Sequence, residues 1–208
     1  LTMYLLDLVV KYIMFDIVDK FEKEIAEFFG APYAVSTDCC THAIELILRY
    51  KEVKNVSVPK QTYLSVPMTA KKVGATVSWA NTRWEEYYYL SQNIYDAAVL
   101  WRRNSYIVNS YMCLSFQFKK HLSLGRGGAI LLSSKQERDD LIKLGYDGRH
   151  RNAPWAEQDI HSAGYHYYMT PETAQLGLDK LPDAIKSKPK LWTYKDYPNI
   201  YNLIHNVI

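Results

Sequence analysis

Residues 33–50 read Tyr33-Ala34-Val35-Ser36-Thr37-Asp38-Cys39-Cys40-Thr41-His42-Ala43-Ile44-Glu45-Leu46-Ile47-Leu48-Arg49-Tyr50. A short strand-forming run passes through a polar turn into residues whose apolar members recur at helical spacing. A strand, turn and helix in this order point backbone N–H groups and the positive end of the helix dipole at one spot, which suits a phosphate. Plain N-capping by Asp38 or Thr41 is the other use of such residues.

Working outward, the same alternation continues. Residues 56–59 read as a strand, 66–73 as a helix stopped by Gly74, and 75–79 as the next strand. This predicts βαβ units and a mainly parallel sheet. Upstream, Leu6, Val9, Ile13, Ile17, Phe21, Ile25 and Phe29 keep helical spacing up to Gly30, which predicts one or two amphipathic helices. Residues 81–92 mix polar and aromatic side chains without a clean period and read as a connection. Strands are expected at 93–98, 106–109, 111–116 and 129–133, and helices at 136–144 and 173–181. The organisation expected is a helical segment over 1–30, an α/β domain over 31–181 and a tail over 182–208 that wraps the domain or a partner.

With 208 residues, 48% of them hydrophobic and 23% charged, the chain is long and apolar enough for a folded core. Its net charge of +3 is too small to imply nucleic acid. The 18 tyrosines, some near Arg102, Arg103, Arg149 and Arg151, either close core edges or stack on bases. Three cysteines, with Cys39 and Cys40 adjacent, build no disulfide framework, so a reducing, cytoplasmic setting is expected. The apolar run at 5–10 is too short and too charged for a membrane span. His150, His161 and His166 lack the tight spacing of a zinc site, and no metal is expected.

Three further positions bear on chemistry. At 113–128 a hydrophobic strand breaks into Lys119-Lys120 and a glycine-rich turn. A desolvated lysine at a strand end loses its charge and becomes a nucleophile for a carbonyl cofactor; a basic surface turn is the alternative. Asp96 ends a short strand, where it caps the following turn or holds a proton on a heterocyclic nitrogen. Tyr63 follows another strand and either packs a loop or covers a flat ligand.

Taken in order, Phe21-Glu22 through Phe29-Gly30, Val35-Ser36 through Ile44, Val58-Pro59 through Tyr63, Asp96-Ala97-Ala98, and Ser115-Phe116 with Lys120 and Gly127-Gly128 resemble the sugar aminotransferases of the DegT/DnrJ/EryC1/StrS family, which are fold-type I pyridoxal-phosphate enzymes. The resemblance implies the three-layer large domain of that fold, with a mainly parallel sheet, shortened and with a reduced or absent C-terminal small domain. It selects Lys120, five residues after Ser115, over Lys119 as the Schiff-base lysine, with Asp96 as the second catalytic group. It implies pyridoxal 5'-phosphate held by Cys40, Thr41, Tyr63, Asp96, Ser115, Lys120 and His166. The implied reaction moves an amino group, from glutamate, onto a nucleotide-linked keto sugar. The implied assembly is a homodimer with the site at its interface, binding neither nucleic acid nor membrane.

The sequence departs from the family pattern in several places. A strand-helix-strand region before Asp96 is replaced by the aromatic connection. Val99 stands where the family has a polar side chain, and Arg126 where it has an acidic one. His166 and Tyr168 stand where the family has Asn and Arg in a loop that reaches a neighbouring subunit. Some relatives carry histidine in place of the lysine and are dehydratases; here His121 is one place late, which favours transamination. Two rival readings follow from these departures and from the arginines: an accessory or binding protein of the same fold without turnover, and a nucleic-acid-binding α/β protein.

Overall fold

A computed structural model describes residues 15–208. The apolar run at 5–10 and the first half of the predicted N-terminal helical region lie outside these residues. Helix α1 (Asp16–Phe29) buries Val18, Phe21, Ile25 and Phe29 on one stripe and ends at Gly30. Gly30 takes the left-handed conformation, φ 76°, that a helix stop requires, and its N–H bonds back to the last turn.

The chain continues through β1 (Tyr33–Thr37), α2 (Cys40–Tyr50), β2 (Asn55–Pro59), α3 (Ser65–Lys72), β3 (Thr76–Ala80), β4 (Tyr88–Ser91), β5 (Ile94–Asp96), β6 (Tyr111–Ser115), β7 (Gly128–Leu132), α4 (Lys135–Gly145), α5 (Pro171–Lys186) and α6 (Tyr201–Ile204). Five strands form one sheet in the order β1-β7-β6-β5-β4, and β2 pairs with β3 in a separate parallel ribbon. Alternate strand residues face opposite ways. Ala34, Met112, Leu114, Ala129 and Leu131 pack under α1 and α5, while Val35, Cys113, Ile130 and Leu132 pack under α2, α3 and α4. The three-layer α/β architecture expected from the sequence is the one observed.

Strand directions differ in detail from a mainly parallel sheet. β5 and β6 are parallel, but β7 runs against both β1 and β6, and β4 runs against β5. Two local expectations are corrected. The stretch read as a connection contains β4, whose Tyr88 and Leu90 are buried on either side of exposed Tyr89. The strand expected at 106–109 is a turn: Asn109 has φ 61°, Val108 points outward, and the Tyr106 hydroxyl donates to Ser110 O. Strand-forming residue types there serve an anchored loop, because β5 already fills the edge of β6 they would have paired with.

Beyond α5 the chain returns across the molecule. Glu86 N donates to Trp192 O, Tyr194 N to Trp84 O, and Ile200 N to Lys60 O, while Ile200 and Ile204 are buried. Among the described residues, no helix is long and apolar enough to cross a membrane.

Candidate active site

β1, β5 and β6 point the same way, and a cavity of about 930 Å³ opens where all three end. Strand ends of this kind gather the loops of an α/β sheet around a ligand. Cys40 and Thr41 reach the cavity from the start of α2, Tyr63 from the loop after β2, Asp96 from β5, Ser115 from β6 and Lys120 from the loop beyond it. These six expected residues therefore meet in one place. His166 does not join them within the chain: it is exposed and its Nδ1 pairs with Asp147 Oδ2 at 2.9 Å.

Asp96 is buried, and burial pushes its carboxyl up from the usual range. Hydrogen bonds and the Lys120 charge oppose that shift. Ala98 N donates to Asp96 Oδ1 at 2.9 Å, and the Tyr88 hydroxyl donates to Oδ2. The Tyr88 oxygen in turn shares a hydrogen with Thr62 Oγ1. The bond to Ala98 is the turn cap anticipated for this position, and the carboxylate also lines the cavity.

The loop carrying Lys120 is pinned by buried Phe116, Leu122 and Leu124, with Leu124 N donating to Phe116 O at 2.9 Å. Burial lowers the Lys120 amine from its ordinary value, with Asp96 acting in the opposite sense. Its Nζ lies 5.7 Å from the centroid of the Trp192 ring. Lys119 is exposed at the rim, and His121 turns away to Ala184 O at 2.8 Å.

At the start of α2 the N-cap is Cys39, whose side chain makes no cap bond, rather than Asp38 or Thr41. Thr41 Oγ1 instead meets Ser65 Oγ at 2.9 Å, and Asp38 holds His42 Nδ1 at 2.6 Å and Arg126 at 2.8 Å. Ligand atoms of Asp38, Cys39 and His42 lie within 4.8 Å of one another, a grouping able to hold a metal ion. The Arg126 guanidinium already supplies the cation there. Gly128 lets β7 approach this turn: a Cβ on it would lie 2.5 Å from Cys39 C and Cys40 N.

Sequence reasoning did not find Tyr88, Trp192, Tyr197 or the pairing role of Arg126. Tyr88 had a signal, the alternation with Leu90, hidden by the run of three tyrosines. The others reach the cavity by long-range folding and carry no local pattern. Conversely, the arginines that motivated nucleic-acid binding are engaged internally: Arg102 with Glu86, Arg149 with Asp147, Arg151 with Glu22, and Arg103 over the Phe28 ring.

The model of the DegT/DnrJ/EryC1/StrS aminotransferase family matches residues 10–109 and 105–194. The chain belongs to this family. No curated protein matches it. Among solved structures, Spr1654 of Streptococcus pneumoniae, a candidate sugar aminotransferase in its PLP form, is similar with a TM-score of 0.69 at 19% identity, covering 82% of this chain and 60% of that one. AtS13 of Actinomadura melliaura follows with a TM-score of 0.68 at 18% identity, over 82% and 60% of the two chains. The sugar aminotransferase CalS13 of Micromonospora echinospora has a TM-score of 0.66 at 14% identity, over 82% and 61%. The present chain thus spans about 60% of the length of these family-like structures. At such identities the likeness carries the fold, a shortened large domain of the fold-type I transferases.

Proposed function

We propose that this chain acts as a pyridoxal-phosphate-dependent aminotransferase that moves an amino group from glutamate to a nucleotide-linked keto sugar. The observation that carries the reading is that the Lys120 amine, its charge disfavoured by burial, shares one cavity with the buried Asp96 carboxylate and the N-terminus of α2. Family membership supports the reaction class, and the donor set fits the cofactor end to end: an anion-binding helix terminus, an amine and an acceptor for a pyridine N–H.

When bound, pyridoxal phosphate supplies an electron sink for the carbon that carries the amino group. Lys120 would hold the cofactor's aldehyde carbon, give that carbon up to the incoming amine and, once free, carry a proton to or from the substrate carbon. Asp96 keeps a proton on the ring nitrogen. Cys40 and Thr41, with Ser115, bind the phosphate, and Tyr63, 61% exposed at the cavity rim, is free to cover the ring. In a homodimer the exposed His166 is available to a second chain's site. Three free cysteines fit a reducing, cytoplasmic setting.

The test is direct. Purified chain mixed with pyridoxal phosphate is expected to show a near-visible absorbance band, and borohydride reduction should place the cofactor mass on Lys120 and not Lys119. Absence of the band, or a band unchanged in Lys120→Ala, rejects the reading. Loading without formation of pyridoxamine phosphate on addition of glutamate identifies the accessory protein instead.

A further inference from the structure

Asp96 needs more than its own backbone turn to serve a ring nitrogen. A carboxylate taken out of water stays charged and aimed only where donors meet both oxygens. Ala98 N serves Oδ1, and the second donor comes from the Tyr88 hydroxyl on β4, the strand that stands where the family resemblance leads one to expect a longer region. Tyr88 is buried, and its ring packs at 5.1 Å from the Trp84 ring, so the hydroxyl has little freedom to turn elsewhere. Its oxygen also meets Thr62 Oγ1, on the residue before Tyr63. A single hydrogen-bonded chain, Thr62 to Tyr88 to Asp96, therefore ties the loop at the cavity rim to the carboxylate at its floor.

We propose that Tyr88 is a positioning residue that fixes Asp96 for its bond to the cofactor's pyridine nitrogen, and that Thr62 fixes Tyr88. The proposal rests on reading Asp96 as the partner of that nitrogen. Tyr88 itself is pushed well above the ordinary phenol range by burial and by Asp96, so it acts as a neutral donor throughout the working pH range. The other titratable groups facing Asp96 are Lys120 from the loop after β6, Cys40 from α2, Cys113 from β6 and Tyr197 from the C-terminal segment. Burial holds both cysteines and Tyr197 in their neutral forms, which leaves Lys120 as the one basic neighbour in this set.

The experiment compares the wild-type chain, Tyr88→Phe and Thr62→Val by spectroscopic titration with pyridoxal phosphate between pH 5 and 9, alongside thermal melting. Tyr88→Phe keeps the ring and removes the donor, so the melting curve should change little while cofactor affinity falls roughly 10- to 100-fold, the usual effect of a lost hydrogen bond to a charge. Removing the donor takes away the largest of the interactions that oppose burial at Asp96 and leaves only the Ala98 N–H and the Lys120 charge, so the acidic limb of the affinity profile should move to higher pH. A structural role alone would lower affinity at every pH without moving that limb. Thr62→Val should lie between the two. Wild type that loads Lys120 beside a Tyr88→Phe variant with the same affinity and the same limb overturns this proposal and leaves the site reading standing. Wild type that takes up no cofactor overturns both. If Tyr88→Phe does not fold, Thr62→Val decides the matter: a shifted limb supports the proposal, and an unshifted one rejects it.

Discussion

Arg126 donates to Asp38 Oδ2 at 2.8 Å, joining the glycine-rich loop before β7 to the turn that opens α2. The other oxygen of Asp38 binds His42 Nδ1 at 2.6 Å, and the His42 ring lies on Tyr167 with centroids 3.7 Å apart. One carboxylate thus organises the mouth of the proposed phosphate site, which makes it a good place to measure.

Burial disfavours the charged His42 ring, but hydrogen bonds to Asp38 and Cys39 more than offset it and raise His42 to about 9. A folded-state value above the unfolded one stabilises the protein fully below about pH 6.5 and loses that contribution as pH rises through about 9. The unfolding free energy from denaturant titrations across this window should fall by on the order of 1–2 kcal/mol after allowance for partial exposure. In Asp38→Asn the fall should be much smaller.

Gly128→Ala should displace the phosphate turn, because the added Cβ meets the backbone of Cys39 and Cys40 at 2.5 Å. Overpacking of this kind costs about 1–3 kcal/mol. Chemical denaturation would give that cost, and a pyridoxal-phosphate titration of the folded variant should show weaker binding than wild type.

Glu22 is 2% exposed and gathers Ser36 N, Ser36 Oγ, Arg151 and Arg138, with Arg151 itself 6% exposed in its side chain. Glu22→Ala leaves Arg151 with Asp19 alone and should cost about 3–5 kcal/mol, as removal of one partner from a buried pair does. Glu22→Gln, which keeps the Ser36 bonds, should cost less. Neither variant touches the cavity, so cofactor affinity of the folded fraction should match wild type.

Ile200 is 3% exposed and anchors the C-terminal segment whose Trp192 and Tyr197 line the cavity. Truncating it to alanine should cost about 2–4 kcal/mol in denaturant unfolding. Limited proteolysis should then cut residues 188–208 sooner than in wild type, with a parallel loss of cofactor affinity.

Much of the fold was legible because its signals are local. Helical spacing before Gly30, the strand-turn-helix at 33–50 and the lysine after the strand at 111–116 each depend on neighbours within a few residues. Where local preference conflicts with pairing, reading fails. Tyr106, Ile107 and Val108 have strand-forming side chains yet sit in a turn, and the tyrosine run at 87–89 conceals a strand. Six of the seven expected cofactor residues line one cavity, since each lies at or beyond a strand end, whereas His166 sits on an exposed loop.

Residue order by itself therefore determined the layered α/β class and the element that carries each proposed catalytic group, while the preference for Lys120 over Lys119 came from the family resemblance. Tertiary structure alone decided the antiparallel entries of β4 and β7, the Arg126 bond to Asp38 and the Tyr88 bond to Asp96. It also brought the C-terminal segment back to the cavity. Periodicity records which face of an element is apolar, but it carries no record of which distant polar group will be desolvated beside another. That pairing is settled only when the chain closes on itself and each buried donor and acceptor has to find a partner.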